Sequence, residues 1–100
     1  MNTLGMITIV IDDYDSAIKH YVEDLDFTLI EDTALSADKR WVVVAPGNEG
    51  AKILLAKAAN EAQTNAIGNS TGGRVGFFMY TNTFTDTYES YKSHGIEKIM

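Results

Sequence analysis

ITIVIDDYDSAIKHYVEDLDFTL, residues 7–29, decides the fold of this chain, because it holds a strand, a turn, a helix and a new strand in succession. The apolar and mostly β-branched start predicts a strand, and the apolar residues that follow recur at helical spacing. Residues 75–100, VGFFMYTNTFTDTYESYKSHGIEKIM, present the same order again. An internal repeat of this kind indicates two copies of one structural unit.

The first copy gives detailed expectations for its strand and its helix. Met6–Ile11 is apolar at nearly every position, which predicts a strand covered on both faces. Asp13 or Asp15 is the expected N-cap of the helix, and Asp26 stands where a helix end usually requires a positive φ. The predicted strand faces are Met6, Thr8, Val10 and Ile7, Ile9, Ile11, and the predicted apolar stripe of the helix is Ala17, Ile18, Tyr21, Val22, Leu25.

Three further strands complete the first copy. Strong turn residues at 46–50 separate the last two of them, which predicts an antiparallel hairpin. The predicted strands are Phe27–Ala34, Arg40–Ala45 and Lys52–Lys57. The fold class is therefore α+β with tandem βαβββ modules, within one domain over residues 1–100: module one at 5–58, a linker at 59–73 with a weak helical turn at 60–67, and a partial module two at 74–100 that is cut after its helix at 85–94 and the start of the next strand.

Composition excludes several classes of function. A formal charge of -6 argues against a nucleic-acid partner, which needs clustered Lys and Arg. The chain has no Cys, so it lacks a disulfide framework, a thiolate metal site and a thiol nucleophile. The amino terminus has no basic region and its apolar run is too short to span a bilayer, so we expect a cytoplasmic protein without membrane contact.

The tandem modules resemble the vicinal oxygen chelate superfamily, which includes glyoxalase I, bleomycin-resistance proteins, extradiol dioxygenases and fosfomycin-resistance enzymes. The sequence segments that carry the resemblance are IVIDDYDSAIKHYVEDLDF, at 9–27, GGRVGFFMY, at 72–80, and KRWVVVAP, at 39–46. The resemblance implies a cup-shaped sheet with the helix outside and a ligand inside. It also implies a set of residues that face into the cup: Met6, Thr8, Val10, Trp41, Arg74, Phe78 and Tyr80.

The resemblance further implies where a metal ion would be held, and these positions do not suit one. Metal-dependent members carry a His or similar ligand at the start of the first strand of each module and a Glu late in each module. Met6 and Arg74 stand at the two opening positions, where a thioether and a guanidinium are poor ligands for a hard divalent ion. The strand at 52–57 carries no acid. We therefore expect no metal and no cofactor.

Other chemical groups have simpler explanations than catalysis. His20 and His94 are expected on helix surfaces, and the acids at 12, 13 and 15 are better explained by helix capping than by a cation site. Gly72 and Gly73 fit a flexible linker, and no Ser lies in a nucleophile elbow. The catalytic residues are therefore unknown.

Three hypotheses for function remain open. The first is a metal-free protein that binds a small planar or anionic molecule through Arg74 and the aromatic residues of the cup, as a sequestration or resistance protein does. The second is a metal-dependent lyase or dioxygenase whose site a partner subunit completes. The third is a truncated, self-associating relic in which the same aromatic residues merely fill a core or an interface.

The interrupted second copy predicts a partner. Two missing strands would leave a sheet edge and apolar surface uncovered, and such edges promote association. The sequence thus predicts a homodimer or higher oligomer, in which a second copy covers the incomplete module.

Overall fold

The computed structural model describes residues 2–69 and 71–72, and this part of the chain forms one βαβββ module followed by a short helix. The predicted partial module at 74–100, with its helix at 85–94, lies outside the described residues. The elements are β1 (Met6–Ile11), α1 (Tyr14–Lys19), a π-helical segment (His20–Asp24), β2 (Thr28–Ala34), β3 (Arg40–Ala45), β4 (Lys52–Lys57) and α2 (Glu61–Ala66). The predicted α+β class and the bounds of β1, β3 and β4 are confirmed.

The four strands form one mixed sheet in the order β1-β4-β3-β2. β1 runs parallel to β4. A parallel pair requires a crossover connection, and the helix with β2 and β3 provides it. β3 and β4 are antiparallel, which confirms the predicted hairpin, and β2 joins the outer side of β3 in antiparallel register. A β-bulge between Leu29 and Glu31 shifts the register of β2, so that Ile30 has no partner on β3.

The helix begins and ends by the devices that its sequence indicates. Of the two candidate caps, Asp13 is the N-cap, and its side chain accepts a hydrogen bond of 2.8 Å from the backbone N–H of Ser16. At the other end Asp26 has a φ of 61°, as predicted. The backbone N–H of Phe27 donates to the carbonyl of Tyr21 at 2.8 Å and closes the helix. Phe27 therefore precedes β2, and the predicted start of that strand was one residue too early.

One continuous α-helix was the wrong expectation for residues 14–25. The α-helical hydrogen bonds give way after Lys19 to a π-helical segment at His20–Asp24. The wider turn ends where the backbone N–H of Leu25 donates to the carbonyl of His20 at 3.1 Å. A π-helical turn holds one more residue than an α-helical turn, so it changes which residues share a face of the helix. The spacing of apolar residues alone does not reveal such a turn.

The core lies between the helix and one face of the sheet, here called the helix face. Its central side chains are fully buried and come from β3 and β4: Val42, Val44 and Leu55. Ile11, Tyr14, Phe27 and Ile53 complete the buried cluster, and the partly buried Ile7, Ile9, Ala17, Ile18, Tyr21 and Leu25 pack against it. The predicted helix face of β1 and four of the five predicted stripe residues are therefore confirmed.

The expectation that β1 is covered on both faces is wrong for its first half. Met6 and Thr8 are exposed, whereas Ile7 and Ile9 are partly buried against the core. The reason is that the helix covers one face of the strand only. Apolar residues on both faces of a strand therefore do not show that both faces are covered.

α2 confirms the helical turn expected after the module. Asn60 caps it, because its side-chain oxygen accepts a hydrogen bond of 2.9 Å from the backbone N–H of Gln63. Within residues 2–69 and 71–72, neither this helix nor the earlier one has the length and apolar character needed to cross a membrane.

Candidate ligand-binding face

The strand register brings four of the predicted site residues onto one face of the sheet, here called the second face. Met6, Thr8 and Val10 alternate with the core residues of β1 and therefore point away from the helix. Trp41 alternates with Val42, which is fully buried in the core cluster, so its side chain points away from the helix too. Trp41 therefore shares a face with Met6, Thr8 and Val10.

The middle of the second face is apolar. Thr8 pairs with Leu54, Leu54 with Val43 and Val43 with Glu31, which makes one row across all four strands. Adjacent strands lie about 4.8 Å apart, so this row spans roughly 14 Å, which is enough for a fused-ring molecule. The face is therefore large enough for a small planar ligand.

Three residues of β4 belong to this face and were missed as candidates. Lys52, Leu54 and Ala56 pair with Met6, Thr8 and Val10 respectively. Alternation along KILLAK was the signal available, but only the parallel pairing with β1 shows which of its two faces lies beside the candidates. Lys52 is the important addition, because it places a cation next to Met6.

Exposure differs across the second face. Trp41 is 36% exposed and Met6 is 38% exposed, which is high for large apolar side chains. Val43 and Ala45 also alternate onto this face, yet they are only 4% and 2% exposed, and neither belongs to the core cluster beneath the helix. The face thus has a buried centre at β3 and accessible apolar side chains at both sides.

The remaining three predicted site residues are Arg74, Phe78 and Tyr80, and all of them lie outside the described residues. Their place in a cup stays a prediction. The described half of the candidate site consists of Met6, Thr8, Val10 and Trp41 with the newly found Lys52, Leu54 and Ala56.

The described donor set does not fit the metal ion that the resemblance implies. Second-face side chains of β1 and β4 provide a thioether, a hydroxyl, an ammonium group and alkyl groups, and none provides the imidazole or carboxylate that a divalent ion prefers. The acid on this face, Glu31, accepts a hydrogen bond of 3.0 Å from the Thr33 hydroxyl. Across residues 2–69 and 71–72, three or more His, Asp or Glu side chains nowhere gather into a group able to hold a metal.

A polar cluster lies directly behind Trp41, on the helix side of the sheet. Arg40 donates from Nε and Nη2 to both carboxylate oxygens of Asp32, at 3.0 and 2.6 Å, and from Nη1 to Asp15 at 2.9 Å. Its guanidinium carbon lies 5.2 Å from the ring centroid of Tyr14. The Tyr14 hydroxyl accepts a hydrogen bond of 3.2 Å from the backbone N–H of Arg40. One residue therefore joins β3 to β2 and to the start of α1.

The electrostatics of this cluster follow from its hydrogen bonds. The bidentate contact with Asp32, and then that with Asp15, raises the pKa of Arg40 above its usual value. The same contact lowers the pKa of Asp32 below its usual 3.8, and the Ser16 hydrogen bonds lower the pKa of Asp13 in the same direction. All three groups therefore keep their charges near neutral pH.

The helix surface carries no second candidate site. His20 Nδ1 lies 3.1 Å from the Asp24 carboxylate, and both side chains are substantially exposed, as expected for a solvated histidine. Burial raises the pKa of Tyr21, whose ring packs at 5.5 Å from that of Phe27. Tyr21 is therefore part of the core.

The chain is similar to known proteins and to solved structures. A protein of Shewanella frigidimarina (strain NCIMB 400), described as uncharacterized, is 47% identical over 93 residues, which cover 91% of this chain and 69% of that protein. The crystal structure of UcmS2 matches with a TM-score of 0.75 and 25% identity over 95% of this chain and 76% of that one. TnmS3, an antibiotic binding protein from Streptomyces sp. CB03234, matches with a TM-score of 0.69 and 18% identity over 95% and 72% of the two chains.

A family model matches almost the whole sequence, including the part outside the described residues. It covers residues 3–100 and describes the Glyoxalase/Bleomycin resistance protein/Dioxygenase superfamily. The βαβββ architecture, the sheet order and this match agree. The chain belongs to the Glyoxalase/Bleomycin resistance protein/Dioxygenase superfamily.

Proposed function

We propose that this protein binds a small planar, anionic molecule on the second face of its sheet, without a metal ion, and acts by sequestration. The observation that carries the proposal is the shared face of Trp41, Met6, Thr8 and Val10. A flat aromatic side chain beside apolar neighbours favours stacking with a flat ligand. TnmS3 shows that the fold occurs in an antibiotic binding protein, which agrees with such a role.

The charge preference comes from the described cation of this face. Lys52 pairs with Met6 and lies on the same face as Leu54, two residues before it on β4, where it supplies a donor for a sulfonate or carboxylate. Arg74 would add a second cation. β1 and β4 carry no imidazole or carboxylate on this face, and the carboxylate of Glu31 lies on β2, two strands away from Lys52.

Calorimetric titration with naphthalene-2-sulfonate tests the proposal, and naphthalene-2-sulfonamide serves as the uncharged probe. We expect saturable binding of the sulfonate with a negative heat-capacity change, and weaker binding of the sulfonamide. Trp41→Ala should weaken binding about 3- to 10-fold, since an aromatic pair contributes about 0.5–1.5 kcal/mol. Lys52→Met and Arg74→Ala should reduce the preference for the sulfonate.

A matched control distinguishes binding at the second face from nonspecific binding to exposed apolar side chains. Leu35 is 61% exposed in the loop between β2 and β3 and does not belong to the face. Leu35→Ala should bind the sulfonate like the wild type. If both probes fail to bind, or if Trp41→Ala binds as tightly as Leu35→Ala, the proposed site is wrong. Elemental analysis that finds a stoichiometric divalent metal in the purified protein would instead support the lyase or dioxygenase hypothesis.

We also propose that the protein forms a homodimer. β2 is an edge strand of the described sheet, every one of its residues is exposed, and the apolar Leu29 and Ile30 lie on it. Exposed edges with apolar side chains favour pairing with another chain. Sedimentation should give a dimer at micromolar concentration for the wild type and for Leu35→Lys, and a monomer for Ile30→Lys. A monodisperse wild-type monomer would contradict this proposal.

A further inference from the structure

We propose that Arg40 is a positioning residue for ligand binding: its contacts on the helix side of the sheet fix the end of β3 and so hold Trp41 in a binding orientation on the second face. This inference rests on the proposed function of the second face. Arg40 itself cannot touch a ligand there, because it pairs with Ala34 and alternates with Trp41 onto the opposite side.

Within the described sheet, the start of β3 is paired on one side only, with β2. β3 begins at Arg40, and the partner strand β2 is exposed along its whole length. Pairing between β3 and β4 extends over Val42–Val44 only. Trp41 therefore pairs with Thr33 of the exposed edge strand β2, and it lies beyond the residues of β3 that pair with β4.

Arg40 adds side-chain and backbone contacts to this one-sided pairing. Asp32 lies two residues before Ala34, the partner of Arg40 on β2, so the bidentate contact joins β3 to β2. Two parallel hydrogen bonds fix the orientation of the guanidinium group as well as its distance from the carboxylate. The backbone N–H of Arg40 donates to the hydroxyl of Tyr14, which is buried in the core. Both the side chain and the backbone of the residue next to Trp41 are thus held.

The two acidic partners of Arg40 differ in their exposure to solvent. The Asp15 side chain is 83% exposed, so its ion pair with Arg40 is screened by solvent and contributes little. Asp32 is 31% exposed and bidentate. The positioning effect should therefore depend on Asp32 and Tyr14, and Asp15 provides a matched control.

The consequence for binding is a lower ordering cost. An indole that is already held in one orientation loses less freedom when a ligand stacks on it, and immobilising one side chain costs about 0.5–1.5 kcal/mol. Loss of the Arg40 contacts should therefore weaken binding of naphthalene-2-sulfonate about 2- to 10-fold. Arg40→Lys should restore part of the loss, since an ammonium group keeps the charge but not the bidentate fork.

The test measures Trp41 directly, because it is the one Trp of the chain. Fluorescence anisotropy and acrylamide quenching are recorded for the wild type, Arg40→Gln, Arg40→Lys, Asp32→Asn and Asp15→Asn, at a temperature where circular dichroism shows each to be folded. We expect lower anisotropy and faster quenching in Arg40→Gln and Asp32→Asn, an intermediate result in Arg40→Lys, and no change in Asp15→Asn. Calorimetric affinities for the sulfonate should follow the same order.

The outcomes distinguish this inference from the proposed function. Binding in the wild type with unchanged affinity and unchanged Trp41 quenching in Arg40→Gln would overturn the positioning role and leave the second face as the site. Altered Trp41 quenching without binding in any variant would refute the proposed function, and with it the part of this inference that concerns the ligand. A loss of affinity without any change at Trp41 would also overturn the positioning role.

Discussion

At the scale of single residues, the helix of this module is defined by two acids with different tasks. Asp13 accepts a hydrogen bond at the start, where orphan N–H groups need an acceptor. Asp26 ends the helix with a φ of 61°, a conformation that glycine adopts most readily. Both roles follow from local chemistry, and for that reason both are visible in the sequence.

Asp26→Gly should stabilise the protein. Removal of the Cβ relieves the left-handed strain, and the greater freedom of glycine in the unfolded chain offsets part of the gain, which leaves roughly 0.5–1 kcal/mol. Asp24→Gly should instead lower stability, because Asp24 lies inside the helical segment and its carboxylate contacts His20. Urea denaturation of both variants measures the difference, and a less stable Asp26→Gly would show that the Asp26 side chain does more than tolerate the turn.

At the scale of elements, the two faces of a strand in this sheet have different environments. β4 shows the division most clearly: Leu55 is completely buried beneath the helix, and Leu54 points to the second face between Thr8 and Val43. The helix face stabilises the module. The second face carries the proposed ligand site.

Truncation of these two neighbouring leucines should therefore give opposite results. Leu55→Ala leaves a cavity in the core and should lower the free energy of unfolding by about 2–5 kcal/mol. Leu54→Ala should cost much less stability but weaken binding of naphthalene-2-sulfonate. Thermal denaturation and calorimetry on the same two variants check both parts, and Leu55→Val provides a milder core variant if Leu55→Ala does not fold. Equal stability losses would contradict the assignment of the faces.

Local and periodic signals explain how much of this module could be predicted. The strand bounds of β1, β3 and β4, the cap at Asp13 and the turn at Asp26 depend on neighbouring residues, and the sequence predicts them. The pairing of β1 with β4 and the bidentate contact between Arg40 and Asp32 join residues far apart in the chain, and no local pattern encodes them. Lys52 was missed for the same reason, because its neighbour Met6 is known only from the register.

At the scale of the whole molecule, an excess of acids gives the protein a formal charge of -6. Within the described module, two of these acids have a lowered pKa: Asp32, which Arg40 binds, and Asp13, which accepts hydrogen bonds at the start of α1. The first contact joins β3 to β2, and the second begins the helix that covers the core.

This arrangement makes stability fall in acid. The pKa values of Asp32 and Asp13 are lower in the folded chain than their usual 3.8, so the folded state binds fewer protons than the unfolded state in this range. The stabilisation is complete well above pH 3.8 and is lost as the pH falls through the lowered pKa values of the folded protein.

Denaturation midpoints between pH 2 and pH 6 should show a decline in stability that becomes shallower in Asp32→Asn and in Asp13→Asn. Glu49 lies in the exposed turn between β3 and β4, so Glu49→Gln should keep the wild-type decline of stability in acid. If all three variants lose stability in acid as steeply as the wild type, the carboxylates that govern acid stability lie elsewhere, and the contact between Arg40 and Asp32 does not stabilise the pairing of β2 with β3.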